Sequence, residues 1–364
     1  MGNDNRKKES LRIPVWMIAS LLAAICTLCL PLSTGAATYT QKKPALAPYT
    51  VSSYKTVKNT HYVIPDHAYE YYSSDVMKSQ KGYRTTFTRS MSTLMLTSGG
   101  TPMDPQSMAI TPDGRYLYIV YLIDHGGVNN LNARGRLVRF DLNALRQDNG
   151  GQLPDQVNSK NTRYVKTGPL IVFGHCQSLA YNPKTKSLWF VAKPGYSKTC
   201  VKELDMNTFR VKNTVNYSLK STVSMGYTLA FDKRGNAYFY TSSKNGTWSP
   251  KRSIKIYKGT VSRRSVRWHL VMQGIRYANG PIRSGNNIIQ GMGYNPKLDR
   301  LYFVSDSSIL SVPAGKLGRL KPSDVWESVF GGHREFEGIA FDGQGRGLLL
   351  TNRPYEVMRT GDGF

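Results

Sequence analysis

Gly332-His333-Arg334-Glu335-Phe336-Glu337 is the densest local set of chemically capable side chains in the sequence. In an extended segment, alternation sends His333, Glu335 and Glu337 to one side. An imidazole beside two carboxylates could hold a divalent cation or perform acid–base work. The plainer reading is a hydrogen-bonded opening to a strand. His175, beside Cys176, holds an equivalent place further upstream. The six histidines (His61, His67, His125, His175, His269 and His333) have no helical metal spacing. No His-Glu-x-x-His, Gly-x-Ser-x-Gly or Cys-x-x-Cys occurs. No cofactor is therefore expected beyond a cation at that trio.

Glu337 also belongs to a series. Five phrases begin at Gln106, Gln177, Tyr227, Gln290 and Glu337, spaced 47 to 71 residues apart. Each runs from a polar residue through a short apolar strand into a turn rich in Pro, Asp, Asn, Gly and Lys. An aromatic and β-branched strand follows, as in Gln106 to Tyr121. That is a hairpin signature, and its recurrence reads as propeller blades. Around one channel mouth, three amides, a phenol and a carboxylate could bind a sugar or a phosphate-polyol. Alternatively they satisfy one another and water in a filled channel.

The elements that must position these residues follow from the same repeat. Third strands are expected at Arg136–Leu142, Cys200–Leu204, Ser253–Tyr257, Ser308–Val312 and Tyr355–Arg359. Fourth strands are expected at Tyr164–Phe173, Phe209–Leu219, Val266–Met272 and Val325–Phe330. The fifth unit has no room for one before Phe364, and Thr85–Leu96 has the composition to supply it. The expected fold is all-β, a five-bladed propeller over residues 85–364 closed by an N-terminal strand. Tyr116–Tyr121 is apolar on both faces, as a strand packed between two neighbouring blades should be. A β-sandwich is the alternative. Trp189 and Trp268 fall in strand runs and are expected between blades. Asp113-Gly114, Arg234-Gly235 and Gly343-Gln344-Gly345 read as hairpin turns rather than calcium loops.

Residues 1–37 read as a secretory signal peptide. Arg6, Lys7, Lys8 and Arg12 precede the apolar run Val15–Leu32, and Thr34-Gly-Ala-Ala37 offers a cleavage site. An uncleaved N-terminal membrane anchor is the alternative. Either places the remainder outside the cytoplasm, where Cys176 and Cys200 could bridge; two isolated thiols are the other reading. Residues 38–84 form a Tyr-rich extension, poor in aliphatics, that drapes over the propeller or tethers it.

Charge sets the expected partners. Lysine and arginine number 49 against 23 acidic residues, a net +26. The leader holds four basic and two acidic residues, leaving +24 on the rest. Such a surface concentrates polyanions: anionic cell-wall polymers, a membrane surface or acidic glycans. Nucleic acid is excluded, because no recognition motif is present and export separates the chain from the genome. Trp248, in a long loop near lysines, could stack on a sugar or enter a membrane interface. A monomer is expected.

The hairpins around Gly226–Ser243 and Ile254–Tyr257, with Glu335-Phe-Glu-Gly-Ile339, resemble the helveticin J-like family of large secreted bacteriocins of lactobacilli. The likeness covers residues 100 to 360 as a pattern and transfers no catalytic residue. It implies an exported antibacterial protein acting on related Gram-positive cells. The leader, the Tyr-rich extension and the higher charge depart from that pattern. The expectation is a secreted, cationic propeller binding anionic envelope polymers or glycans. Alternatives are a metal-dependent hydrolase or lactonase using Glu337 with His333 or Glu335, and a non-killing adhesion module.

Overall fold

The structure is a computed structural model. It describes residues 37–40, 57–59, 76–82, 85–92, 97–98, 101–124, 131–157, 160–195, 198–219, 224–242, 253–277, 289–330, 334–352 and 354–361. All belong to one compact unit, Ala36–Phe364. Residues 1–36, which hold nearly all of the expected leader, and Trp248 and His333 lie outside the described residues. Among the described residues, no helix is long and apolar enough to cross a membrane.

The described chain is mostly β, with a propeller-type strand order. Four N-terminal strands come first: β1 (Ala37–Thr40), β2 (Val57–Asn59), β3 (Val76–Gly82) and β4 (Thr86–Ser92). A minimal hairpin follows, β5 (Thr97–Ser98) with β6 (Thr101–Pro102). The first meander comprises β7 (Asp104–Ile110), β8 (Tyr116–Leu122) and β9 (Arg134–Asp141), edged by β10 (Val165–Thr167) and β11 (Ile171–Val172). The second comprises β12 (Leu179–Asn182), β13 (Ser187–Lys193), β14 (Thr199–Leu204) and β15 (Val211–Ser218). The third is β16 (Ala230–Phe231), β17 (Ala237–Ser242), β18 (Ile254–Val261) and β19 (Val266–Tyr277). In the fourth are β20 (Met292–Asn295), β21 (Arg300–Ser305), β22 (Ser308–Pro313) and β23 (Trp326–Phe330). The fifth has β24 (Glu335–Phe341), β25 (Gly347–Asn352) and β26 (Glu356–Thr360).

The fourth strand missing from the fifth meander is β4, antiparallel to β26 with Val357 opposite Met91. The expectation for Thr85–Leu96 is met by its first half. Because β3 pairs with both β4 and β23, the fourth and fifth meanders merge into one nine-stranded sheet. β1 and β2 lie parallel to the outer strands β15 and β19. These described segments cover edges that would otherwise present unpaired backbone.

Two local expectations are corrected. The fourth strand of the first meander is broken at Gly168-Pro169, where a Cβ on Gly168 would sit 2.8 Å from Phe209 Cβ. A short helix, α1 (Leu142–Asp148), ends that meander's third strand early. The Asp141 carboxylate caps it by accepting the Ala144 N–H at 3.1 Å, which is why the chain leaves the sheet there.

Side chains from facing sheets fill the space between meanders. Phe140 and Leu350 share one apolar layer, Tyr118 and Phe190 another, and Trp189 and Trp268 a third. Tyr240 and Phe303 share a fourth, and Tyr302 and Phe341 a fifth. The first strands touch in a closed cycle, β7 to β12, β16, β20, β24 and back to β7. Glycine permits part of this approach. A Cβ on Gly293 would lie 2.5 Å from the Ile339 carbonyl oxygen, and one on Gly291 would lie 2.6 Å from that of Glu337. Both obstacles are backbone, which cannot rotate away. Gly293→Ala should therefore cost about 1–3 kcal/mol of stability. Urea unfolding measures this, and an unchanged midpoint would show that the strands do not meet at this distance.

Candidate functional site

The first strands run from polar starts to hairpin turns, so the two ends of the axis differ in chemistry. At the polar end, Gln106, Gln177, Gln290 and Glu337 are all buried. Gln177 Nε2 donates to Gln290 Oε1 at 3.1 Å, and Gln290 Nε2 donates to Glu335 Oε1 at 3.4 Å. Asn352 Nδ2 donates to Glu337 Oε1 at 3.3 Å. Of the five side chains expected at an open mouth, Gln177 and Gln290 thus bond each other, and Gln290 and Glu337 also meet Glu335 and Asn352. These bonds are of the kind the filled-channel alternative calls for, at three of the five positions.

Glu337 occupies a bulge, where the pairing of β24 with β25 shifts between Phe336 and Gly338. Burial, then the negative charges of Glu335 and Asp306, hold its carboxyl well above the usual carboxylate range. Two carboxyls this close disfavour a second negative charge, so the proton is held at Glu337. Gln106 also sits in a bulge and leaves Oε1 buried without a hydrogen bond among the described residues. That atom is a place for an ordered water. Tyr227 packs its ring edge-on against His175 at 5.7 Å, and burial pushes its phenol up to about 12.

Of the proposed cation trio, Glu335 and Glu337 come together. Among the described residues, no group of three or more His, Cys, Asp and Glu side chains is placed to hold a metal ion. The disulfide is not formed: Cys176 and Cys200 are both buried free thiols. Cys176 precedes β12 while Cys200 lies on β14, with β13 between them, and each sulfur has its own neighbour. Cys176 Sγ lies 3.6 Å from Ser107 Oγ, and burial pushes its thiol up to about 12; Cys200 Sγ faces the Val201 carbonyl.

The open site is at the other end, which the repeat's polar starts do not announce. A cavity of about 360 Å³ is lined by residues of all five first strands, including Met108, Leu179, Phe231, Met292 and Ile339. All five first turns reach it, through Pro112, Pro183, Lys233, Pro296 and Gly343. Side chains of the turns' own Asn and Asp residues hold them in shape. Asp232 Oδ1 accepts the N–H groups of Arg234 and Asn236, both at 2.9 Å, and Asp342 Oδ1 accepts those of Gln344 and Arg346 at the same distance. Gly114, Gly235 and Gly345 have φ of +73°, +78° and +78°, so these are structural turns, as expected.

Those turns also project cations. Arg115, Lys184, Lys186, Lys233, Arg234, Lys297 and Arg346 are all exposed. The nearby carboxylates are engaged: Asp113 with Thr111, Asp299 with Tyr294, and Asp342 with Arg346. A basic collar therefore surrounds an apolar opening. The sequence signal was available in the turns themselves, Thr111-Pro-Asp-Gly-Arg115, Asn182-Pro-Lys-Thr-Lys186 and Asn295-Pro-Lys297, where lysine or arginine recurs.

No protein-family model matches the chain, and no curated protein does. Similar solved structures include a glucose dehydrogenase, 11% identical with a TM-score of 0.31, covering 82% of this chain and 98% of that one. A soluble aldose sugar dehydrogenase from Escherichia coli is 10% identical with a TM-score of 0.35, covering 71% and 96%. A streptogramin B lyase is 12% identical with a TM-score of 0.32, covering 71% and 93%. Their reactions are properties of those proteins.

The protonation of Glu337 has a measurable sign. Its folded-state affinity for a proton exceeds the unfolded one, so its contribution to stability falls as pH rises above the ordinary carboxyl value of 4.5. Glu337→Gln does not titrate. The variant's melting temperature should therefore gain on the parent's between pH 4.5 and pH 8. Parallel curves would mean that Glu337 is already ionised in the fold.

Proposed function

We propose that this chain is a five-bladed β-propeller that binds anionic cell-envelope polymers or acidic glycans at its first-turn end, as a monomer outside the cytoplasm. The blade count rests on the five meanders, the cyclic contact of their first strands and the five apolar layers between them. The observation that carries the binding reading is the basic collar around an apolar opening.

The rest of the charge distribution supports it. Among the described residues, every carboxylate except Asp155 is tied into a turn, an ion pair, another hydrogen bond or the core. Glu203, for instance, is wholly buried and accepts from Arg263 at 2.6 and 2.8 Å. Lysine and arginine are left as the charge presented to solvent, out of a net +26. A polyanion is attracted from beyond contact distance, over about 8 Å at physiological ionic strength. The apolar cavity then takes an uncharged portion of the ligand. A leader over residues 1–37 would deliver the chain to the compartment that holds such polymers. Growth inhibition of Gram-positive cells, implied by the helveticin resemblance, belongs to the same reading.

A second reading is favoured by one observation, the mutual repulsion of the Glu335 and Glu337 carboxyls, with Asp306 adding to it. A metal-dependent hydrolase or lactonase would use them for acid–base work. Stoichiometric divalent metal retained through dialysis would favour this reading.

Binding is tested by retention of the full chain on teichoic-acid-bearing walls. Lys184, Lys233 and Lys297 changed together to Gln should weaken retention at least about tenfold, at ~1 kcal/mol per cation near an anionic surface. Retention should also weaken steeply with added salt. Binding indifferent to both would overturn the electrostatic account.

A further inference from the structure

A second cavity, of about 440 Å³, lies beside the axial one, between the first and fifth meanders. Its walls bring together residues far apart in sequence: Arg146 from α1, Arg346 from the first turn of the fifth meander, and Arg359 from β26. The one carboxylate lining it, Asp342, is already bound by Arg346 Nε and by two backbone N–H groups of its own turn. Among the described residues, Arg146 reaches Asn143 Oδ1, at 3.5 Å. The cavity therefore holds three guanidinium groups against one carboxylate. Ile110, Leu142 and Leu348 supply apolar wall, and Thr88 and Thr360 also line it.

Three like charges gathered around one cavity repel one another, and half-buried Arg146 also loses hydration while Arg346 and Arg359 stay exposed, so an anion entering between them relieves the repulsion. Arg146 records this: loss of hydration, then repulsion from Arg346 and Arg359, pushes its proton affinity down. Guanidinium forks match the tetrahedral oxygens of phosphate in a way that lysine does not. The space suits a small ester, with room for a few carbons against the apolar wall.

We propose that this lateral cavity is a binding site for a phosphate ester of a small polyol, held by Arg146, Arg346 and Arg359. The proposal rests on the reading that the turn end receives anionic polymers, and it narrows the anion to phosphate. The atoms recognised would be the two or three free oxygens of the ester, while the polyol carbons lie toward Ile110 and Leu142.

Calorimetric titration of the full chain with glycerol 3-phosphate tests it, with glycerol as the uncharged control. R146Q combined with R359Q should weaken binding at least about tenfold, since each lost charge-assisted hydrogen bond is worth ~1.5–3 kcal/mol. R210Q combined with R264Q removes the same charge elsewhere and should change it less than about twofold. Equal loss in both pairs, or no binding by the parent, would overturn the site. R146K with R359K keeps the charge but not the fork, and guards against a folding defect. It should weaken binding measurably, and affinity equal to the parent's would overturn guanidinium recognition. Phosphatidylglycerol vesicles separate the sources. Vesicle capture displaced by glycerol 3-phosphate assigns a lipid headgroup, whereas glycerol 3-phosphate binding without vesicle capture assigns a soluble or wall-borne ester. Wall retention is read in parallel. A parent that binds glycerol 3-phosphate but not walls keeps the cavity and loses the polymer reading, and the reverse result does the opposite.

Discussion

The close approach of five first strands around one axis is the constraint on which everything else depends. It requires small residues where backbones nearly touch, as at Gly291 and Gly293 against β24. It forces the flanking strands to splay into wedges that large aromatic side chains must fill, among them Trp189, Trp268, Tyr240 and Tyr302. It also gives the axis two chemically unlike ends, because every first strand runs the same way from a polar start to a turn.

That polarity divides the electrostatics. Amides and carboxyls at the strand starts are withdrawn from water and answer one another across meanders, with Gln290 linking Gln177 to Glu335. Cations at the turns stand in solvent, where the asparagines and aspartates beneath them are occupied in holding the turn backbone. Acidic groups serve the architecture and basic groups face outward. The excess of lysine and arginine is thus expressed as a surface property even though several arginines are structural. Arg334 is the clearest of these: it is buried against Glu356, with Met77 and Met358 beside it.

Much of the architecture was legible because each hairpin carries its own local instructions. The turn Thr111-Pro-Asp-Gly-Arg115 and the all-apolar strand Tyr116–Tyr121 can be read without knowing any partner. The missing strand at Thr86–Ser92 was legible by arithmetic, since one unit lacked a fourth member. What was hidden depends on partners. Whether Gln177 meets a ligand or Gln290 is decided by the distance across the axis, which no single repeat encodes. The bulge at Glu337 is equally silent in the sequence. Strands β1 and β2 escaped notice because their pairing uses backbone groups on tyrosine-rich chain that has no aliphatic pattern. The arginine cavity draws on a helix, a turn and a strand from opposite ends of the propeller region.

The β3–β4 hairpin carries a consequence for how the molecule is made. Residues 76–92 emerge from the ribosome long before Glu356–Thr360, yet they complete the sheet to which that last strand belongs. The early ribbon therefore waits for both of its outer neighbours until almost all of the chain has been synthesised. The ribbon's two edges are met in turn, β3 by Trp326–Phe330 and β4 only by Glu356–Thr360, so a chain interrupted before residue 356 would leave β4 without its last neighbour.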